Sequence, residues 1–238
     1  MALSLKGRTV LVIGRGSGIA SAVVLAAQSE GANVVVAGRD REALRDAYDD
    51  PGIEVEEVDL NDDASIAALA ERLGEIDHLV STASARARGH LAELDRRAVL
   101  HSFDTKVVGP IMLAKYFSGR IAEGGSFTLF SGVAAFKPVV GYLGVAATNG
   151  AADFLTRSLA LEMGPVRVNA ISPGVIDTGI WDSLGEEEKK AYFENLRAAN
   201  PARRIGTVDD ISAAVLFAMT NASLTGVTLR VDGGEPLT

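Results

Sequence analysis

Short runs of aliphatic and β-branched residues alternate with longer stretches of helical spacing along the whole chain. This alternation limits the possible folds more than any other feature. Thr9-Val10-Leu11-Val12-Ile13 is an unbroken apolar run ending at a glycine, as in a strand buried on both faces of a parallel sheet. Ser17 to Glu30 then reads as a helix stopped at Gly31 by a left-handed cap. The unit recurs as strand 33–37 with helix 41–48, strand 53–58 with helix 64–73, strand 78–81 with a long helix 99–117, and strand 127–130 with helix 142–163. Strand 166–171, helix 208–219 and strand 227–231 complete the series. Repeated β-α units with short connections predict an α/β fold, a doubly wound seven-stranded parallel sheet with helices on both faces.

No Pro/Ser-rich linker or charge block divides the 238 residues, so one domain spanning 1–238 is expected. With 47% hydrophobic and 23% charged residues the chain is not a disordered one. A net charge of −8 argues against nucleic acid or an anionic membrane as a partner, since both select positive surface. Met1 to Arg8 lacks the apolar stretch of a signal peptide and no run approaches the roughly 18 apolar residues of a membrane span, so a cytoplasmic location is expected. There is no cysteine, and His78, His90 and His101 lack ligand-like spacing, so no metal site is expected.

Gly14-Arg15-Gly16-Ser17-Gly18-Ile19-Ala20 joins the first strand to the first helix. Glycines there allow a tight turn and the approach of a pyrophosphate to a helix N-terminus, although a plain turn has the same composition. Further along stand Asp59-Leu60, the segment Arg167-Val168-Asn169-Ala170-Ile171-Ser172-Pro173-Gly174-Val175-Ile176-Asp177-Thr178, Asn200-Pro201 to Asp210, Thr225-Gly226 and Val231-Asp232-Gly233-Gly234. Together these motifs resemble the short-chain dehydrogenase/reductase family over essentially the whole chain. The resemblance implies a Rossmann-type domain holding a nicotinamide dinucleotide. Gly14, Arg15, Ser17, Gly18 and Ile19 would form its phosphate loop, and Asp59 and Leu60 its adenine contacts. Ser81, Thr82 and Ala83 would follow the fourth strand, Asn149 would reach the nicotinamide ribose, and Pro173, Gly174, Ile176 and Thr178 would border the nicotinamide. Three departures stand out: Ile13 in place of threonine, Ala20 in place of the last glycine, and Ser81-Thr82-Ala83-Ser84 in place of Asn-Asn-Ala-Gly. The second strand ends Ala37-Gly38-Arg39, with no acid to accept from ribose hydroxyls, while Arg39 offers a fork suited to phosphate and Arg15 a second charge. NADP(H) is therefore expected over NAD(H), unless Arg39 is merely a solvated residue entering the next helix.

The family's catalytic asparagine, serine, tyrosine and lysine fall, by register of the flanking segments, on Lys106, Gly132, Val145 and Asn149. Valine has no proton to give, and glycine has no hydroxyl. Lys106 and Asn149 read as an exchange of two family residues; facing each other, they would still bring an ammonium to the pocket. Tyr142, one helical turn before Val145, is the candidate replacement acid on the same helix face. Ser131 precedes the serine position, and strand alternation should send its side chain to the other face. Residues 177–200 match the family's substrate lid, with Ile180, Trp181, Leu184, Tyr192, Phe193 and Leu196 as an apolar face and Glu186-Glu187-Glu188-Lys189-Lys190 as a solvated run. That pattern is compatible with an apolar small-molecule substrate. Three readings stay open: an oxidoreductase with a rebuilt proton donor, a silent NADPH sensor or partner subunit, and a non-redox enzyme for elimination or cyclisation. The resemblance further implies a homotetramer or homodimer.

Overall fold

The computed structural model describes residues 4–238; the Met1-Ala2-Leu3 start of the N-terminal segment considered above lies outside the described residues. In chain order the elements are β1 (Thr9–Ile13), α1 (Gly18–Ser29), β2 (Asn33–Gly38), α2 (Arg41–Ala47), β3 (Ile53–Glu57), α3 (Asp63–Leu73), β4 (Ile76–Ser81), α4 (Arg96–Phe103) and α5 (Gly109–Phe117). They continue as β5 (Ile121–Phe130), α6 (Leu143–Glu162), β6 (Arg167–Pro173), α7 (Glu186–Ala199), α8 (Val208–Thr220) and β7 (Thr228–Val231). The seven strands form one sheet in the order β3-β2-β1-β4-β5-β6-β7, and every neighbouring pair is parallel. After β3 the chain crosses back over β1 to place β4 on its other side, so the crevice of a doubly wound sheet opens between the C-terminal ends of β1 and β4.

Because side chains alternate along each strand, the sheet feeds two apolar layers. Val10 and Val12 of β1 pack with Val23, Val24 and Ala27 of α1 and with Ile211 and Val215 of α8. Leu11 and Ile13 turn to the opposite layer, built from Ile66 and Leu69 of α3, Leu113 and Phe117 of α5, and Leu159 of α6. The unbroken aliphatic composition of β1 thus reflects burial on both faces. One charged residue is also buried at a strand start: Arg167 spreads its guanidinium over the carbonyls of Ala218 at 2.7 Å and Asn221 at 2.9 Å, closing the C-terminal end of α8.

Two sequence expectations change in detail. The helix expected over 99–117 begins earlier, at Arg96, where Asp95 accepts from Arg97 N at 3.1 Å, and its middle, Asp104–Val108, is wound as a π-helix. The run at 186–190 is not wholly solvated. Lys189 turns back from α7 to Asp182 at 2.6 Å and Asp177 at 2.9 Å, tying the helix to the segment before it. Among the described residues no helix is long and apolar enough to cross a membrane, and no group of three or more His, Asp or Glu side chains is placed to hold a metal.

Candidate cofactor cleft and catalytic pocket

The glycine-rich loop lies at the crevice, and its neighbours explain its glycines. A Cβ on Gly14 would come 2.4 Å from Thr82 Oγ1 and 2.7 Å from Ala20 Cβ, so the ends of β1 and β4 meet only because the side chain is absent. Gly18 adopts φ +61 and stands against Thr178, whose Cβ would lie 3.4 Å from an added Cβ. Ser17 caps α1 in extended backbone but makes no side-chain cap bond, and the first turn carries no acid. By contrast α2, α3 and α4 are capped by Asp40, Asp62 and Asp95. The first N–H groups of α1 therefore keep their donors and dipole for a ligand.

Around this loop the remaining expected contacts are brought together. Asp59 follows β3 and holds Asn61 N at 2.9 Å through Oδ1, while Leu60 is buried against Gly109, where a Cβ would lie 2.9 Å from its own. Gly38 is required by packing: a Cβ there would lie 2.8 Å from Gly14 O, so no side chain, acidic or otherwise, fits. Asp40 is occupied in capping Ala43 N at 2.9 Å, and Arg41 pairs with Glu56 at 3.5 Å. Among the described residues, exposed Arg15 and Arg39 form no ion pair. The Ser81-Thr82 substitution acts differently at its two positions. Thr82 Oγ1 donates to Ile13 O at 3.0 Å and is used up in joining β4 to β1, whereas Ser81 Oγ is buried with no partner. Pro173 ends β6. Gly174 passes so close to Asp232 that a Cβ would lie 2.8 Å from Asp232 Cα, and Ile176 is buried with its carbonyl accepting from Trp181 Nε1 at 2.9 Å. An uncapped helix terminus, a glycine cradle and an orphaned buried hydroxyl all suit a dinucleotide.

Beside the cleft, Lys106 and Asn149 do face each other. Lys106 Nζ donates to Asn149 Oδ1 and, at 3.0 Å, to Ser131 O. Both side chains are buried, and burial together with the nearby Arg86 charge pushes the Lys106 ammonium down to about 7. The π-helical winding at 104–108 carries this lysine inward from the helix. A Cβ on Gly132 would lie 2.7 Å from Asn149 Nδ2, so the amide occupies the space that a side chain at 132 would need. Asn149, expected at a ribose, holds Lys106 through Oδ1, and no protein group accepts from its Nδ2 among the described residues.

Two expectations about neighbouring residues are corrected. Ser131 does not turn away from this site: β5 ends at Phe130, strand alternation stops there, and Ser131 Oγ donates to Asn149 O at 2.9 Å. Tyr142 precedes the helix that carries Val145. It is the N-cap residue of α6, with φ −114 and ψ 17, so helical spacing does not govern it. Its ring lies under the Arg88 guanidinium, 4.8 Å from the ring centroid. Sequence reasoning missed Arg86 and Arg88 altogether; their alternation around the small Ala87 was the available signal. Within 177–200, Trp181 packs on Tyr192 at 5.0 Å and Phe193 is buried, whereas Ile180 and Leu184 stay exposed.

Comparison with known proteins agrees with this geometry. A family model described as Enoyl-(Acyl carrier protein) reductase matches residues 13–235. L-xylulose reductase of Mus musculus is 34% identical over 244 aligned positions, covering 98% of each chain. A solved small-chain dehydrogenase in complex with NADPH is 30% identical and covers 98% of this chain and 100% of its own, with a TM-score of 0.82. The MalC Reductase/Diels-Alderase from Malbranchea aurantiaca is 28% identical, covers 98% and 97% of the two chains, and superposes with a TM-score of 0.89. Strand order, crevice, glycine loop and full-length similarity together place this chain in the short-chain dehydrogenase/reductase family.

Proposed function

We propose that the protein is an NADP(H)-dependent oxidoreductase acting on a small-molecule carbonyl or alcohol, with Lys106, positioned by Asn149, as its proton-transfer group. The carrying observation is the buried ammonium itself, bonded to Asn149 Oδ1 and Ser131 O beside the nucleotide crevice and lacking a carboxylate partner. When bound, the dinucleotide supplies or accepts a hydride. In reduction, Lys106 Nζ passes a proton to the oxygen on which negative charge develops, and the amine stays held by the same two acceptors. A group poised near 7 is better matched to acid–base work at neutral pH than an ordinary lysine at 10.5. Tyr142, beneath Arg88, lines the same pocket, and segment 177–200 closes it with Trp181 and Tyr192. The free Arg39 and Arg15, with no acid at the end of β2, support NADP(H) over NAD(H). The NADPH-bound relative supports the same cofactor.

The test is Lys106→Met. Turnover should fall by roughly 10²–10⁴-fold while NADPH affinity measured by calorimetry stays within about 3-fold; full retained turnover would overturn the assignment. In the unaltered enzyme, carbonyl reduction should decline as pH rises through about 7, where Lys106 loses its proton. One observation favours a second reading. Gly132 and Val145 bring neither hydroxyl nor phenol to the pocket, and the similar MalC protein is both a reductase and a Diels-Alderase by name. On that reading the pocket promotes a cyclisation, and product would form with no net change in nicotinamide absorbance.

A homo-oligomer is also proposed. Leu143, Phe154 and Leu161 recur along one outward face of α6, with Phe154 66% and Leu161 86% exposed. An exposed apolar stripe along a helix whose other face packs on the core suits a second copy of the chain.

A further inference from the structure

Two arginines after β4 have no acidic partner among the described residues. Residues 85–89, which follow β4, are clamped at both ends. Ser102 Oγ of α4 donates to Ala85 O at 2.7 Å, and Gly89 N donates to Gly141 O at 3.0 Å. Between the clamps Ala87 is buried against Gly144, where an added Cβ would come 2.7 Å from Ala87 Cβ. With its middle residue plugged inward, the segment turns Arg86 and Arg88 outward together, and both are exposed. Arg88 lies flat over Tyr142 at 4.8 Å, leaving the edges of its guanidinium open for planar, bidentate donation. Partial desolvation, Arg88 and Arg15 each weaken the Arg86 charge, and that charge in turn bears on Lys106, so Arg86 stands near both Arg15 of the glycine loop and Lys106.

Among the described residues neither arginine forms an ion pair. In a chain of net charge −8, two neighbouring cations thus stand without a carboxylate partner. Such local violations concentrate at functional sites. Aromatic rings stand nearby: Tyr192 packs against Trp181 at 5.0 Å and is near enough to Arg88 for that charge to bear on its phenol. The first turn of α6, beside this pair, carries no acid.

We propose that Arg86 and Arg88 form the anion-recognition site of the substrate pocket, and that the substrate is a small organic oxyanion, a carboxylate or phosphate ester, whose apolar body rests on Tyr142, Tyr192 and Trp181. The inference rests on the reductase reading of the pocket and revises the purely apolar ligand expected from segment 177–200. The same cations could instead serve the phosphates of the dinucleotide, so the experiment has separate arms. Benzoate, phenyl phosphate and the neutral benzamide are titrated calorimetrically into NADPH-loaded protein, and NADPH is titrated separately, for the wild type, Arg86→Gln, Arg88→Gln and the double variant. Both side chains are exposed and make no ion pair, so unchanged circular dichroism is expected. At least one of the two anions should bind roughly 10-fold or more tighter than benzamide, and the double variant should lose that preference while NADPH affinity moves by less than about 3-fold. Equal or undetectable binding of the anions and benzamide overturns the proposal. So does a fall of about 10-fold in NADPH affinity with the anion preference intact, which assigns the arginines to the dinucleotide. No arm requires turnover. A wild type that fails to bind NADPH sinks the reductase reading instead, and the anion arms are then read on the unloaded protein.

Discussion

At Gly132 the physical obstacle to a side chain is a single amide. The residue has φ 166, extended backbone that any amino acid adopts, so conformation does not require glycine there. An added Cβ meets Asn149 Nδ2 at 2.7 Å, and Asn149 is itself pinned by Lys106. Gly132→Ser should therefore cost about 1–3 kcal/mol by overpacking, read as a lowered midpoint in urea unfolding. Combining it with Asn149→Ala should return much of that loss; equal destabilisation in both backgrounds would contradict the steric account. Substitutions at 106, 132 and 149 are thus one coupled change rather than three, and double-mutant cycles among them should be non-additive. Sequence register placed Lys106 opposite Asn149, but it contained no information on the amide filling position 132.

The same logic applies to whole elements. Helix α6 is tightly apposed to residues 85–89 because Gly144 accepts Ala87 into the space of a missing side chain. Gly144→Leu should displace that segment, loosen Arg86 and Arg88, and lower Tm by several degrees, in keeping with ~1–3 kcal/mol of overpacking. NADPH binding should change little, because the glycine loop stands on β1 and α1. A parallel collapse of NADPH affinity would show that the two regions are not separable. Elements with strong periodicity were legible in advance: β1, β2 and α6 lie within a residue or two of their sequence-derived bounds. The π-helical turn at 104–108 was not, because an inserted residue in the hydrogen-bond ladder leaves the apolar spacing on either side readable as one helix. The start of α6 was set one residue early for a related reason. Helical spacing was extended one residue past the true start of the helix, where backbone direction changes.

Across the whole molecule, two properties follow from where charge and apolar surface lie. His78 is buried with Nδ1 2.9 Å from Ser126 Oγ, and desolvation, opposed by Asp77 and reinforced by Arg167 and Arg8, pushes it down to about 4 from an ordinary 6.5. The neutral form is favoured in the folded state, so the unfolded chain binds more protons between those two values. Stability is therefore full above about 6.5 and falls as pH drops toward 4, by an amount on the order of 3 kcal/mol. Denaturant titrations should show this loss in the wild type and a flatter profile in His78→Gln. On the exposed face of α6, Phe154→Asp should lower the molar mass of the proposed homo-oligomer, measured by light scattering on size-exclusion fractions. A monomeric wild type would instead leave the α6 stripe without a partner.

By itself the sequence determined the class of sheet, the position of the crevice and the glycine loop, because hydrophobic period and turn chemistry act between near neighbours in the chain. Counted register also drew attention to Lys106, Gly132, Val145 and Asn149 as positions to compare with the family pattern. What only the tertiary structure decided is how those positions are filled. It showed an ammonium held by an amide and a carbonyl, a serine turned onto helix backbone, a tyrosine outside its helix, and two exposed arginines flanking a buried alanine. These contacts join residues far apart in the chain, and their energies depend on distance and desolvation, which no local pattern encodes.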